Sequence, residues 1–144
     1  MKLELIDHVG PWHSSVANPA KKPNRAKPMD VGADVYAPKS YILAPQQTVT
    51  VGLALGVKIP NGYAGFIYPR SSLAVKGLVC HTPPIDPSYT GEVHAILTNT
   101  SKSYHEIKAG DRIGQLVVLP CVLPEFVTEP LETRGDNAFG STGS

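Results

Sequence analysis

Five short stretches of this chain carry side chains suited to holding a phosphate chain. Pro69-Arg70-Ser71-Ser72-Leu73-Ala74 sets a guanidinium beside two hydroxyls, where a helix is expected to begin and anions bind well. Ile85-Asp86-Pro87-Ser88-Tyr89-Thr90-Gly91-Glu92 places an acid three residues before a tyrosine. Gly32-Ala33-Asp34-Val35-Tyr36-Ala37 holds one carboxylate among small residues, and Gly110-Asp111-Arg112-Ile113-Gly114-Gln115-Leu116 is a charged turn entering a strand. The fifth is the tail from Thr133 to Ser144, with Arg134, Phe139, Gly140, Ser141 and Thr142. Glycine frees backbone N–H groups, hydroxyls add donors and arginine adds charge, which is what a flap closing over phosphate needs. Singly, each stretch is weak, because an Asp in a turn more often caps its own backbone than acts on a substrate.

Strands must position these residues. Fourteen prolines and thirteen glycines are spread through 144 residues. Each proline inside a helix would cost about 3 kcal/mol, which excludes a helical bundle. Lys2–Asp7 alternates charged and apolar residues. Gln47–Leu55 places Val49, Val51, Leu53 and Leu55 on one face, and Glu92–Leu97 and Ile113–Leu119 are further short apolar runs. Asn61-Gly62 is a hairpin signal, and the one helix expected is about a turn near Ser71–Lys76. The pattern predicts an all-β barrel or jelly roll of one domain.

Composition narrows the function. Hydrophobic residues make up 42% and charged residues 17%, as in an ordinary globular chain. A net charge of +1 argues against a dedicated nucleic-acid binder. No apolar run is long enough to span a membrane, and the first residues lack the apolar core of a secretory signal. Cys80 and Cys121 form no CxxC pair and read as buried thiols of a cytoplasmic protein. Pro11–Pro28, with Lys21, Lys22, Arg25 and Lys27, reads as a solvated loop; the sharper reading is a loop that attracts phosphate or a partner.

Arg-Ser-Ser-Leu-Ala, Ile-Asp-x-x-Tyr-x-Gly-Glu, Gly-Asp-Arg-Ile-x-Gln-Leu and Arg-Gly-x-x-x-Phe-Gly-Ser-Thr-Gly occur here in that order. As a set they resemble the motifs of the homotrimeric dUTP pyrophosphatases, from about Arg25 to the last residue. The resemblance implies a distorted jelly-roll β-barrel over residues 1–132 and a flexible flap over 133–144 that completes an active site. It implies a homotrimer with three sites, each built from segments of all three subunits. The implied reaction is dUTP plus water to dUMP plus pyrophosphate, keeping uracil out of DNA and supplying dUMP, with Mg²⁺ on the triphosphate.

The same resemblance implies the roles. Asp34 would hold the metal through water, and Asp86 would orient and deprotonate the water attacking the α-phosphorus. Arg70, Ser71, Ser72 and Gln115 would contact phosphates, and Asp111 would orient an arginine. Tyr89 would pack under the deoxyribose and exclude a 2′-hydroxyl, with Pro84, Ile85 and His94 beside the nucleoside. Phe139 would stack on uracil, while Arg134, Gly140, Ser141 and Thr142 close over the γ-phosphate. A carboxylate is a weak base, so positioning and charge neutralisation must supply much of the acceleration.

The match departs at Gly77–Pro84. The family reads uracil there with a β-hairpin's backbone and commonly an Asn. This chain has no Asn in that stretch, is a few residues shorter, and carries Pro83-Pro84, which remove N–H donors. Thr90 stands where the family usually has Arg. The departures keep two alternatives open: an enzyme of the dCTP deaminase branch or another deoxynucleotide pyrophosphatase, and a nucleotide-switched binding protein whose regulatory partner engages residues 11–28.

Overall fold

Proline and glycine cut the chain into strands of three to nine residues. The computed structural model describes residues 1–8 and 22–131. In chain order these form β1 (Glu4–Asp7), β2 (Ala33–Tyr36), β3 (Tyr41–Leu43), β4 (Thr48–Gly52), β5 (Leu55–Lys58), β6 (Tyr63–Tyr68), α1 (Ser71–Ala74), β7 (Leu78–His81), β8 (His94–Asn99), β9 (His105–Ile107) and β10 (Arg112–Pro120). Four small antiparallel sheets result, in the orders β1-β5, β2-β10-β6, β3-β9 and β4-β8-β7. They close on one core in which Val35, Leu43, Val51, Leu55, Leu97 and Ile107 are buried. Each such side chain contributes about 1.5–3 kcal/mol. This is the all-β jelly-roll architecture expected from the proline and glycine spacing. No helix among the described residues is long and apolar enough to cross a membrane.

Three local expectations change. The run Gln47–Leu55 is not one strand: Ala54 takes φ 61° and separates β4 from β5. A left-handed residue turns the chain, so Leu55 enters a different sheet from Val51. Asn61-Gly62 does turn the chain, with the Tyr63 N–H on the Pro60 carbonyl at 3.1 Å and Gly62 at φ 88°. Only the second central residue has positive φ, so this is a type II turn and not the primed turn of a hairpin. Its flanking strands accordingly part, β5 to β1 and β6 to β10. Of the two cysteines, Cys80 is buried but Cys121 is exposed. Burial pushes the Cys80 thiol up to about 11, so it is protonated at neutral pH.

Arg134, Phe139, Gly140, Ser141 and Thr142 lie outside the described residues, as does most of the 11–28 segment.

Candidate active site

The central strand β10 organises one half of the site. Gln115 pairs with Asp34 of β2 on one side and Tyr68 of β6 on the other. Arg112 pairs with Tyr36, and a bulge interrupts the register between Arg112 and Gly114. Residues 112 and 115 are an odd number apart and would face opposite sides of a regular strand; the bulge returns both to one face. Arg112 Nη1 therefore reaches Asp34 Oδ2 at 3.6 Å. Arg70, extended at the end of β6 and just before α1, brings its Nε to Asp34 Oδ1 at 3.4 Å. One carboxylate thus holds two guanidiniums, an arrangement with an excess of positive charge that suits a polyphosphate.

The neighbouring groups serve this geometry. Arg70 Nη1 donates to Ser72 Oγ at 3.1 Å, and Ser71 and Ser72 are exposed. Gln115 Nε2 donates to the Pro69 carbonyl at 2.9 Å, which clamps the backbone immediately before Arg70. A Cβ at residue 32 would overlap the Gln115 side chain, so any larger residue there would have to displace that amide. Asp111 Oδ2 accepts the Lys108 N–H at 2.9 Å and closes a turn beside Arg70, Ser72 and Arg112, with which Asp111 lines a cleft, while Asp34 pairs with both arginines. The helix α1 is a single turn, too short for a useful dipole, so any grip on phosphate there belongs to side chains and individual backbone N–H groups.

The second half is a cleft of about 220 Å³ that gathers Pro84, Ile85, Asp86, Tyr89 and His94. Ile85 exchanges hydrogen bonds with Gly65 of β6, at 2.6 Å and 3.1 Å, which anchors the Pro-rich loop to the barrel. Tyr89 donates its hydroxyl to the Glu92 carbonyl at 2.6 Å and leaves the ring 42% exposed. Glu92 Oε2 accepts the Ala54 N–H at 2.8 Å, while Oε1 faces His94 Nε2 at 3.7 Å. Asp86 is exposed, and its carbonyl accepts the Tyr89 N–H at 3.0 Å. A flat, half-open aromatic beside a carboxylate can hold a sugar and address the phosphorus attached to it.

The structure thus gathers the expected residues into two groups. Asp34, Arg70, Ser72 and Gln115 form one; Pro84, Ile85, Asp86, Tyr89 and His94 form the other. Sequence reasoning missed Arg112 as a partner of Asp34, because only the bulge turns it inward. It also missed Glu92, whose glycine-flanked position in the tyrosine motif was the available signal. Among the described residues no three His, Cys, Asp or Glu side chains converge as metal ligands. Magnesium keeps most of its waters and takes few protein ligands, so one carboxylate amid arginines fits an ion carried on a triphosphate rather than caged by protein.

Comparison with known proteins agrees with this chemistry. The family described as dUTPase matches residues 18–143. The deoxyuridine 5′-triphosphate nucleotidohydrolase of Leifsonia xyli subsp. xyli is 41% identical over 128 residues, 84% of each chain. That of Cutibacterium acnes is 40% identical over 138 residues, 90% of each. Among solved structures, a single-substitution mutant of the Staphylococcus bacteriophage 80alpha dUTPase, with dUpNHpp, has a TM-score of 0.78 and 26% identity over 99% of both chains. The 80alpha protein is among phage dUTPases described as controlling transfer of virulence genes by a G protein-like mechanism. A mutant of the dUTPase from phage phi11 of S. aureus, described with a coordinated structural Mg(II) ion, has a TM-score of 0.79 at 24% identity, covering 93% of this chain and 99% of that one.

Proposed function

Since this chain belongs to the dUTPase family and hydrolyses dUTP to dUMP and pyrophosphate, we propose that its active site is assembled from two protomers or more of a homotrimer. One protomer supplies the Asp86–Tyr89 cleft, and another supplies the Asp34–Arg70–Arg112 cluster with Ser71, Ser72 and Gln115. The observation that carries this reading is the division itself: within one chain the nucleoside cleft is lined by none of the residues of the arginine cluster. The exposed apolar stretch Val122, Leu123, Phe126, Val127 and Leu131 supports association, since monomers rarely leave such a run uncovered.

In this reading the Tyr89 ring packs under the deoxyribose and leaves no room for a 2′-hydroxyl. Asp86 orients a water in line with the α-phosphorus and accepts its proton as the P–O bond forms and pyrophosphate leaves. Arg70 and Arg112 neutralise charge on the phosphates, where fixed positive groups act most strongly once water is excluded. Asp34 would hold Mg²⁺ through water, and the ion would supply further charge neutralisation. Residues 133–144 close over the site, with Phe139 on the base and Arg134, Gly140, Ser141 and Thr142 on the γ-phosphate.

Mixing tests the assembly. Asp86→Asn and Arg70→Ala are each expected to be nearly inactive. Co-refolded in equal amounts, they should regain up to about a quarter of the wild-type rate, because some sites then draw each intact half from a different protomer. A mixture no more active than its parents would show that both halves come from one chain.

A second reading rests on Asn24, whose backbone exchanges hydrogen bonds with Asp34 at 2.9 Å and 2.8 Å. The 11–28 segment is therefore tied to the strand that carries the phosphate cluster, and a partner bound there would be felt at Asp34. Deleting residues 11–21 separates the roles. Unchanged dUTP turnover leaves the segment for a partner alone, whereas lost turnover makes it part of the site.

A further inference from the structure

The nucleoside cleft is poor in hydrogen-bond donors. Pro83 and Pro84 have no N–H, and the Ile85 N–H is spent on the Gly65 carbonyl. Asp86 and Glu92 bring carboxylates, which only accept when ionised. Uracil presents two carbonyl acceptors around one N–H, so its recognition needs donors above all. Two imidazoles on the walls of the cleft can donate, His81 and His94, the latter facing Glu92 Oε1 at 3.7 Å. Strand register sets His94, Ile96 and Thr98 on one face of β8, with His81 of β7 directly across from Ile96 and Thr48 of β4 across from Thr98. His81 and His94 therefore flank the apolar side chain of Ile96, and all three line the cleft. His81 Nε2 lies 2.8 Å from Thr98 Oγ1, which lies 2.7 Å from Thr48 Oγ1. Its Nδ1 has no partner among the described residues.

Building on the cleft as the nucleoside site, we propose that His81 is the base-discriminating residue of this enzyme. Thr48 donates to Thr98, Thr98 donates to His81 Nε2, and the imidazole is held as the tautomer that carries its proton on Nδ1. That N–H donates to O4 of uracil. Cytosine offers an amino group at the same place, so two donors would meet with no acceptor between them, which disfavours the mismatched base. Thr98 is a positioning residue that acts through His81. The side chain thereby takes over base reading from a loop whose prolines have removed the backbone donors.

The test is pyrophosphate release from dUTP and dCTP by the full chain and its variants, each checked for native far-UV dichroism. His81→Ala is expected to lower the dUTP-to-dCTP ratio of kcat/KM by at least about ten-fold, while His81→Asn, which keeps a side-chain donor, preserves most of it. Thr98→Val should lower the ratio several-fold and Thr98→Ser should restore it. Nitrogen NMR of the wild-type imidazole should show the proton on Nδ1, and binding of a non-hydrolysable dUTP analogue should shift that nitrogen's resonance. A folded His81→Ala enzyme with an unchanged ratio, or a proton found on Nε2, overturns the proposal. Asp86→Asn, run in parallel, separates the two claims: if it is inactive while His81→Ala keeps full discrimination, the cleft stands and His81 falls. If Asp86→Asn is also fully active, the cleft is not the nucleoside site.

Discussion

Asp86→Asn should bind dUTP with little loss and turn it over about 10²–10⁴-fold more slowly, the usual contribution of a positioned general base. The substitution is nearly isosteric. Asp86 is exposed on the cleft, and its structural hydrogen bond to Tyr89 is made by its backbone carbonyl, so the fold has no need of the carboxylate. In the proposed role, what the amide loses is the ability to accept a proton from the attacking water. Turnover should therefore fall while binding of a non-hydrolysable dUTP analogue, followed by calorimetry, stays close to wild type. A rate within about threefold of wild type would take Asp86 out of its role. Loss of analogue binding in step with turnover would make it a binding group instead.

Asn99→Ala should be the most damaging single change to stability outside the apolar core, at about 3 kcal/mol. Asn99 is the one buried polar side chain found among the described residues, at 1% exposure. Its Nδ2 donates to the carbonyls of Leu43, at 3.0 Å, and Ser103, at 2.8 Å. Its Oδ1 accepts from the Ser101 N–H at 3.0 Å and the Ser101 hydroxyl at 2.7 Å. Truncation would leave the Leu43 carbonyl buried without its donor and release the 100–103 turn. The loss is a large share of a typical stability of about 5–15 kcal/mol. It should appear as a lower urea midpoint with unchanged slope, measured at fixed protein concentration. Ser101→Ala, which removes one partly exposed hydroxyl, should cost no more than about 1.5 kcal/mol. If the two variants unfold at the same midpoint, Asn99 is not the hub.

Much of the candidate site was legible because its residue types are contiguous in the chain. Arg70, Ser71 and Ser72 stand side by side, and Asp86 precedes Tyr89 by three residues, so local sequence carries both the residue types and their spacing. Arg112 was not legible in the same way. Beside Asp111 it reads as half of a surface turn pair, and only the bulge in β10 sends it to Asp34. His81 and Asn99 were likewise present as letters without visible purpose. Their partners lie across strands: Thr98 and Thr48 for the histidine, Leu43 for the asparagine. The misread hairpin at Asn61-Gly62 has the same origin, since a dipeptide selects a turn but the strands beyond it choose their own neighbours.

By itself, then, the order of amino acids determined that this chain is a β protein that handles a deoxynucleoside triphosphate. Proline and glycine forbid long helices wherever they fall, and phosphate-gripping groups keep their character whatever surrounds them. Tertiary structure alone decided which carboxylate pairs with both arginines, which asparagine is sealed inside, and which histidines line the cleft. Those outcomes depend on strand register and on a single bulge, where a shift of one residue turns every side chain to the opposite face.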